Sequence, residues 1–204
     1  MLNQSLFITG TDTGCGKTFI TIWLAKRLQK QKIDVGVMKP ISAGPKSEND
    51  AQLLKKTLKL KDSLKLINPV CLKYPLAPWP AAKLENKKIS LKEITKSFKI
   101  LQARHQIMLV EGIGGLLVPI TEKYLLADLI KELKLPALIV ARAGLGTINH
   151  TLLTVEALND RKIPICGIIL NGFRSEADLS DKSNKEVIEK ISGLPVLASL
   201  PWEG

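Results

Sequence analysis

The chain is poor in aromatic residues, which make up 4 % of its 204 positions, so aliphatic side chains must fill its core. Histidine occurs only twice and cysteine three times. Cys15, Cys71 and Cys166 are widely separated, odd in number and form no Cys-x-x-Cys pair. This spacing argues against a disulfide framework or a zinc knuckle and for a reducing compartment. His105 and His150 share no metal-ligand spacing with each other or with the cysteines; His150 is placed to pack or cap near a helix start. Long apolar runs are missing too. Stretches such as Ile163–Leu170 are broken by Pro or Gly and fall far short of the roughly 20 residues of a membrane span. Met1 to Ser5 include no basic segment followed by a cleavable apolar one. A cytoplasmic protein without a membrane role is therefore expected.

Acidic residues are also in deficit, 19 against 30 Lys plus Arg, which leaves a formal charge of +11. The excess lies mainly between Lys55 and Lys99, where lysines alternate with Leu and Ile at helical spacing and arginine is nearly absent. That pattern reads as the solvated faces of amphipathic helices rather than a nucleic-acid surface, and no nucleic-acid partner is expected.

What the chain does have is alternation of strand-like and helix-like segments. Ser5–Thr9, Val35–Met38, Ile107–Val110, Ala137–Ala141, Ile165–Leu170 and Val196–Ala198 read as strands. Helical patterns run over Lys17–Lys30, Asp50–Leu58, Leu91–Gln102, Tyr124–Leu133, Asn149–Leu158 and Asn184–Ile191. Lys39–Asn49 reads as a polar loop and Lys61–Pro80 as irregular, Pro-rich chain. The strand segments are apolar throughout, as expected of strands buried on both faces of a parallel sheet. The prediction is one domain over residues 1–204: a doubly wound α/β fold, mostly parallel, with helices on both faces. Ligands of such sheets sit at the carboxyl ends of the strands, and there the sequence concentrates its chemistry.

Gly10-Thr11-Asp12-Thr13-Gly14-Cys15-Gly16-Lys17-Thr18 follows the first strand and opens the first helix, the context of a phosphate-binding loop. Main-chain amides and a helix N-terminus converge there on anionic oxygens. Gly14 and Gly16 supply backbone freedom, Lys17 reaches β- and γ-phosphates, and the Thr18 hydroxyl suits Mg²⁺. The fit to G-x-x-x-x-G-K-[ST] is loose, since Thr11 stands at the first Gly and Gly10 lies one residue back. Cys15 reads as a small residue accommodated in the loop, with a reactive thiol at a helix N-terminus as the alternative.

Glu111 ends an apolar strand, where its carboxylate must reach the strand-end crevice or be paired. Asp50 opens a helix and is either an N-cap or a metal carboxylate. Asp128 sits in a helix, exposed or capping. Lys39 follows a strand directly and precedes Pro40; it is either a surface lysine or a charge stabiliser for a transferring phosphoryl group. There is no Gly-x-Ser-x-Gly and no nucleophilic triad.

Taken together, Gly10-Thr11-Asp12-Thr13-x-x-Gly16-Lys17-Thr18, Lys39-Pro40 with Gly44, and Asn49-Asp50-Ala51 resemble the dethiobiotin synthetase family. The resemblance continues through Val110-Glu111-Gly112-x-Gly114-Gly115, Gly146-Thr147-Ile148-Asn149-His150, Asn171 and Pro201-Trp202, in family order over nearly the whole chain. It implies ATP-dependent carboxylation of 7,8-diaminononanoate with CO2 and ring closure to dethiobiotin, with ADP and phosphate as the other products. By the same resemblance, Lys17 and Lys39 are the catalytic lysines, and Thr18, Asp50 and Glu111 hold Mg²⁺. The nucleotide contacts implied are Gly14, Cys15, Gly16, Lys17, Thr18 and Phe19 in the loop. Asp50, Glu111, Gly112 and Gly114 follow, with Asn171, Gly172, Pro201 and Trp202 at the adenine end. Substrate contacts implied are Thr13, Lys39 and Ala43, the last standing where many members carry Ser or Thr. The family is homodimeric, and Gly146, Thr147 and Asn149 of the partner subunit are implied near the substrate carboxylate.

A partition or septum-positioning ATPase is the alternative reading. Such proteins carry a signature lysine five residues before the loop lysine, where this chain has Asp12. A cobyrinic- or cobyric-acid amidase relative would need a glutamine-hydrolysing domain for which this length leaves no room.

Overall fold

The structure is a computed structural model that describes residues 4–45, 49–173 and 179–201, with the main chain alone at 173 and 179–182. Six strands are long enough and apolar enough to be buried: β1 (Leu6–Gly10), β2 (Val35–Met38), β5 (Ile107–Glu111), β8 (Ala137–Arg142), β9 (Ile165–Phe173) and β10 (Val196–Pro201). They form one parallel sheet in the order β10-β9-β8-β1-β5-β2. Every residue of β1, β2 and β5 is buried, the pattern expected when helices cover both faces.

Two hydrophobic clusters flank the sheet. On one face Ile20, Leu24 and Leu28 of α1 (Lys17–Lys30) and Leu54 and Leu58 of α2 (Asp50–Leu58) meet Leu6, Ile8, Val37 and Leu109. On the other, Ile94, Phe98 and Leu101 of α5 (Leu91–Gln102) join Leu129 and Ile130 of α6 (Leu126–Leu133) over Phe7, Met108 and Ile139. Val155 and Leu158 of α7 (Thr147–Asp160) and Ile188 of α8 (Leu179–Ser192) extend this second layer. The doubly wound prediction is thus met. Lys92, Lys96 and Lys99 are exposed while Ile94, Phe98 and Leu101 face the core, so the lysines of α5 solvate its outer face.

Four departures from the sequence reading have local causes. The loop after Lys39 contains β3 (Ile41–Ala43), which pairs in parallel with β4 (Val70–Leu72) in a sheet of its own. Both strands are only three residues long, too short to show a period. The Pro-rich segment holds a helical turn α3 (Leu64–Ile67) and the start of α4 (Pro78–Leu84). Pro78 and Pro80 occupy the first turn of α4, where a missing N–H costs nothing. Finally β6 (Pro119–Thr121) and β7 (Tyr124–Leu125) form a hairpin, so α6 begins at Leu126, with Asp128 Oδ2 accepting the Leu125 N–H at 2.7 Å. The remaining shifts are of one to five residues at element ends, where helices and strands continue as their capping or pairing allows.

A polar clamp closes the amino-terminal edge of the sheet. His105, just before β5, contacts Asp34 Oδ1 through Nδ1 at 3.0 Å and Asp62 Oδ2 through Nε2 at 2.7 Å. Arg104 donates to the other Asp62 oxygen at 2.8 Å. Burial works to lower the His105 pKa, but the bonds to Asp34 and Asp62 outweigh it and hold the imidazolium above its ordinary 6.5. For Asp62, burial works upward, and His105 and Arg104 bring the net value below its ordinary 3.8. A raised histidine stabilises fully below its unfolded value and loses that contribution as pH climbs through its folded one; the depressed Asp62 contributes above 3.8 and fails in acid. The clamp is therefore strongest between these limits. Against a His105→Gln variant, the wild type is expected to melt about 2–4 °C higher near pH 5.5, for a contribution on the order of 1 kcal/mol. That advantage should vanish towards pH 9. Thermal melts across this range test it, and an advantage unchanged with pH would contradict it.

Candidate active site

The order β2-β5-β1 brings three consecutive strand ends side by side, and each delivers one part of the site. β1 delivers the phosphate loop. Thr11 N–H bonds to Val140 O at 3.0 Å, which fastens the loop to β8. Gly16 is the N-cap of α1 with φ 92 and has no side chain to fill the helix end. The first intrahelical bond runs from Ile20 N–H to Gly16 O, so the amides of Lys17, Thr18 and Phe19 lie ahead of the helical ladder and are left for an anion. The partly buried Phe19 ring packs against the α1-side core.

The two loop glycines serve different ends. Gly14 has φ 72 with open space around it, so it is needed for conformation alone. A Cβ on Gly16 would come within 2.0 Å of Asn171 Nδ2, so Gly16 is needed for close approach as well. Asn171, at the end of β9, donates from Nδ2 to Cys15 O at 3.1 Å and is 3 % exposed. Its Oδ1 is buried without a partner among the described residues. Cys15 is 1 % exposed and packs in the α1-side core, which favours the small-residue reading over a reactive thiol. Lys17 Nζ lies along the loop, donating to Asp12 O at 2.9 Å.

β5 delivers Glu111 and β2 delivers Lys39. Glu111 is fully buried, and its Oε1 accepts from Thr18 Oγ1 at 2.7 Å and from Lys39 Nζ at 2.6 Å. Lys39 is 3 % exposed, so it is not a surface lysine; it also donates to Gly112 O at 3.0 Å and pairs with Asp50 Oδ2 at 2.9 Å. Burial works to lower its pKa, but the charges of Glu111 and Asp50 overcome that and raise it above its ordinary value. The ammonium is therefore kept charged in the interior.

Asp50 is not the N-cap of α2. That role falls to Asn49, whose Oδ1 accepts from the Ala51 and Gln52 amides, leaving the Asp50 carboxylate free to turn to Lys39. The sequence reading missed what fixes this loop. Asn68 donates to Lys39 O at 2.8 Å and Val70 O at 3.0 Å, and accepts from Ser42 Oγ at 2.8 Å; Asn49 Nδ2 in turn donates to Ser42 Oγ at 3.1 Å. Asn68 precedes Pro69 in chain that reads as irregular, and nothing in its spacing ties it to Lys39.

These groups enclose a cleft of about 330 Å³ lined by Thr13, Gly14, Gly16, Lys17, Thr18, Lys39, Ser42, Ala43, Asp50, Glu111, Ile113 and Gly114. Gly112 touches it through its carbonyl contact with Lys39. Asn171 and Gly172 stand near the end of β9, two strands across the sheet from β1, and Pro201 pairs beside them on β10. Trp202 lies outside the described residues. Gly146, Thr147 and Asn149 open α7 and do not line this cleft within one chain. The exposed Asp12 accepts the Thr13 N–H with its carboxylate at 2.6 Å, at the position where partition ATPases carry their lysine.

Residues 4–204 match the family model described as an AAA domain. The ATP-dependent dethiobiotin synthetase BioD of Bacillus licheniformis is 43 % identical over 201 residues, 97 % of this chain and 86 % of its own. The namesake proteins of Bacillus subtilis and Nitrosopumilus maritimus are each 42 % identical, over 97 % and 98 % of this chain and 87 % and 89 % of their own. Among solved structures, a ParA family ATPase of Chlorobium tepidum superposes with TM-score 0.59 at 16 % identity, covering 98 % of this chain and 85 % of that chain. MinD–MinC of Aquifex aeolicus gives 0.62 at 17 %, covering 98 % and 82 %. These two likenesses are of fold alone. The chain belongs to the ATP-dependent dethiobiotin synthetase family, and it is an enzyme of the P-loop class.

Proposed function

We propose that the protein carboxylates 7,8-diaminononanoate with CO2 and closes the ring to dethiobiotin at the expense of ATP, as a cytoplasmic homodimer. The observation that carries this reading is the meeting of Lys39, Glu111, Asp50 and Thr18 beside an open helix N-terminus, in a chain of this family. The amides of the first turn of α1, with Lys17, suit the β- and γ-phosphates. The unpartnered Asn171 Oδ1 suits the amino group of adenine, with Gly172, Pro201 and Trp202 nearby in strand order or sequence.

The donor set fits magnesium. Thr18, Asp50 and Glu111 offer hard oxygens, and Glu111 Oε2 is a buried oxygen with no partner among the described residues. Two carboxylates and a hydroxyl suit an ion that fills its remaining positions with water and nucleotide oxygens. When bound, the ion supplies charge neutralisation at the triphosphate.

The N7 amine attacks CO2, forming the N–C bond and releasing a proton. A carbamate oxygen attacks the γ-phosphorus, the bond to the β–γ bridging oxygen breaks, and ADP leaves. The second amine then attacks the carbamoyl carbon and phosphate departs as the ring closes. Lys39 offsets charge on the carbamate and the transferring group, while Lys17 holds the triphosphate. Thr13 and Ala43 bound the cleft where the diamine would lie, Ala43 with an apolar surface. No covalent nucleophile is required.

The dimer reading comes from the family resemblance, and an apolar surface behind the loop supports it. Leu117 and Leu153 are 51 % and 55 % exposed and border a groove shared with Thr11, Asp12 and His150; Leu145, just before α7, is 96 % exposed. A second copy seated there would cover these leucines, and by the family resemblance its Gly146, Thr147 and Asn149 would lie near the substrate carboxylate, where a helix N-terminus favours an anion. His150 is exposed on this face rather than packed.

Incubation with the diamine, bicarbonate, Mg²⁺ and either ATP or GTP should yield the cyclic urea, read by mass spectrometry; no urea with either nucleotide refutes the reading. Lys39→Ala should cut turnover by about 10²-fold or more while ATP affinity stays within a few-fold. A folded variant with unchanged turnover would remove Lys39 from the mechanism. Glu111→Gln should lower metal-dependent turnover about tenfold or more at ordinary Mg²⁺, and full activity would free Glu111 from its metal assignment.

A further inference from the structure

Lys39 does more than stand near the carboxylates. Its Nζ sits between Glu111 Oε1 at 2.6 Å and Asp50 Oδ2 at 2.9 Å, and Thr18 Oγ1 donates to that same Glu111 oxygen at 2.7 Å. With the bond to Gly112 O, all three ammonium hydrogens are engaged within the protein. The ammonium therefore pairs with both carboxylates of the donor set assigned above to the divalent cation. One oxygen of Glu111 takes two donors while the other has none among the described residues, so the side chain is turned toward Lys39 and Thr18.

This arrangement has a physical consequence. A buried carboxylate requires a counter-charge, because desolvation of an unpaired ion costs several kcal/mol. In the structure Lys39 is that counter-charge. A divalent cation entering alone would need to displace the ammonium, or bind within a few ångströms of it against like-charge repulsion. Lys39 holds both carboxylates, so its leaving without a replacement would strip the buried Glu111 of its counter-charge. A second anion in the cleft removes the obstacle: the triphosphate tail, with the carbamate beside it, can accept the ammonium while the metal takes over the carboxylates.

Resting on the functional reading above, we propose that Lys39 is an internal counter-ion that excludes the divalent cation from Asp50 and Glu111 until nucleotide is present. The exchange then hands Lys39 to the transferring group. Metal entry, nucleotide entry and positioning of the lysine are on this account one coupled event, and metal without nucleotide leaves the lysine where it is.

The test is titration of Mn²⁺ alone into nucleotide-free protein, with free Mn²⁺ counted by electron paramagnetic resonance. Lys39→Met, which removes the charge, should bind Mn²⁺ about tenfold or more tightly than wild type. Lys39→Arg, which keeps the charge, should bind as weakly as wild type. Because Lys39→Met leaves Glu111 without a counter-charge, Lys39→Gln is the second variant; its amide can still donate to Glu111, and it should likewise bind more tightly. Adding Glu111→Gln to either uncharged variant should abolish the gain. In wild type, the Lys39 ammonium signal in ¹⁵N spectra should stay in place under millimolar Mg²⁺ and move when Mg²⁺ and a non-hydrolysable ATP analogue are added together. Wild-type protein that binds Mn²⁺ alone as tightly as the uncharged variants, or an ammonium signal that Mg²⁺ alone displaces, overturns the proposal. Urea formation is measured independently, so an enzyme that makes the urea but fails here refutes only this inference, whereas one that makes none fails the functional reading.

Discussion

A carboxylate buried completely inside a protein must be paired or neutralised, and Glu111 is such a group. Its partners, Lys39 and Thr18, come from positions 72 and 93 residues away in the chain. Neither partner is placed by local sequence. Both are placed because β2 and β1 flank β5 in parallel, with Met38 in register with Val110 and Ile8 with Glu111, so that Lys39 and the loop leading to Thr18 leave their strands beside Glu111. The pairing therefore depends on the whole sheet being in register. A slip in either strand pair would leave a charge in the interior, at a cost of several kcal/mol per ion. A stably folded chain and a correctly assembled crevice are in this respect the same condition.

The sheet topology explains why the chemistry gathers at this rim. Successive strands build out from β1 on one side through β5 and β2, and on the other through β8, β9 and β10. The loops leaving β1 thus part from those of its neighbours and open a crevice at the carboxyl ends. The loop fills it from one side, with Thr11 tied to Val140 of β8 and Asn171 of β9 pressed against Gly16 and bonded to Cys15 O. Lys39 and Glu111 close it from the other. At the opposite edge His105, Asp34 and Asp62 bind the entry to β2 and β5 together, so the strands that carry Lys39 and Glu111 are fastened at both ends.

The fold and much of the site could be read from the sequence because the informative residues are local. Continuous apolar runs announce buried strands, and Gly16-Lys17-Thr18 after one of them announces an anion cradle. The small elements could not be read. β3 and β4 pair only with each other and are three residues each, and the prolines of α4 resemble a break while serving as a helix start. The fate of Asp50 was ambiguous for a physical reason. An Asp after a polar loop is a good N-cap, and only the geometry of Asn49, which takes that role, frees the carboxylate for Lys39. Asn68 and Ser42 were silent because hydrogen bonds between side chain and distant backbone leave no period in a sequence.

The likeness to the ParA and MinD structures shows how little of this is fixed by the fold. Those chains share the architecture at 16–17 % identity, and an anion cradle at the end of β1 follows from strand, turn and helix alone. What the fold does not dictate is the character of the neighbouring strand ends. Here one ends on a lysine held inside the protein and the next on a glutamate with no access to water. Asp12 lies in the loop with its carboxylate turned onto the Thr13 amide rather than presenting a cation. The buried positive charge is that of Lys39, inside the same chain and beside a cleft of about 330 Å³. A cationic group set beside such a cleft suits a compact anion, a property that these strand-end residues supply and that the shared architecture does not require.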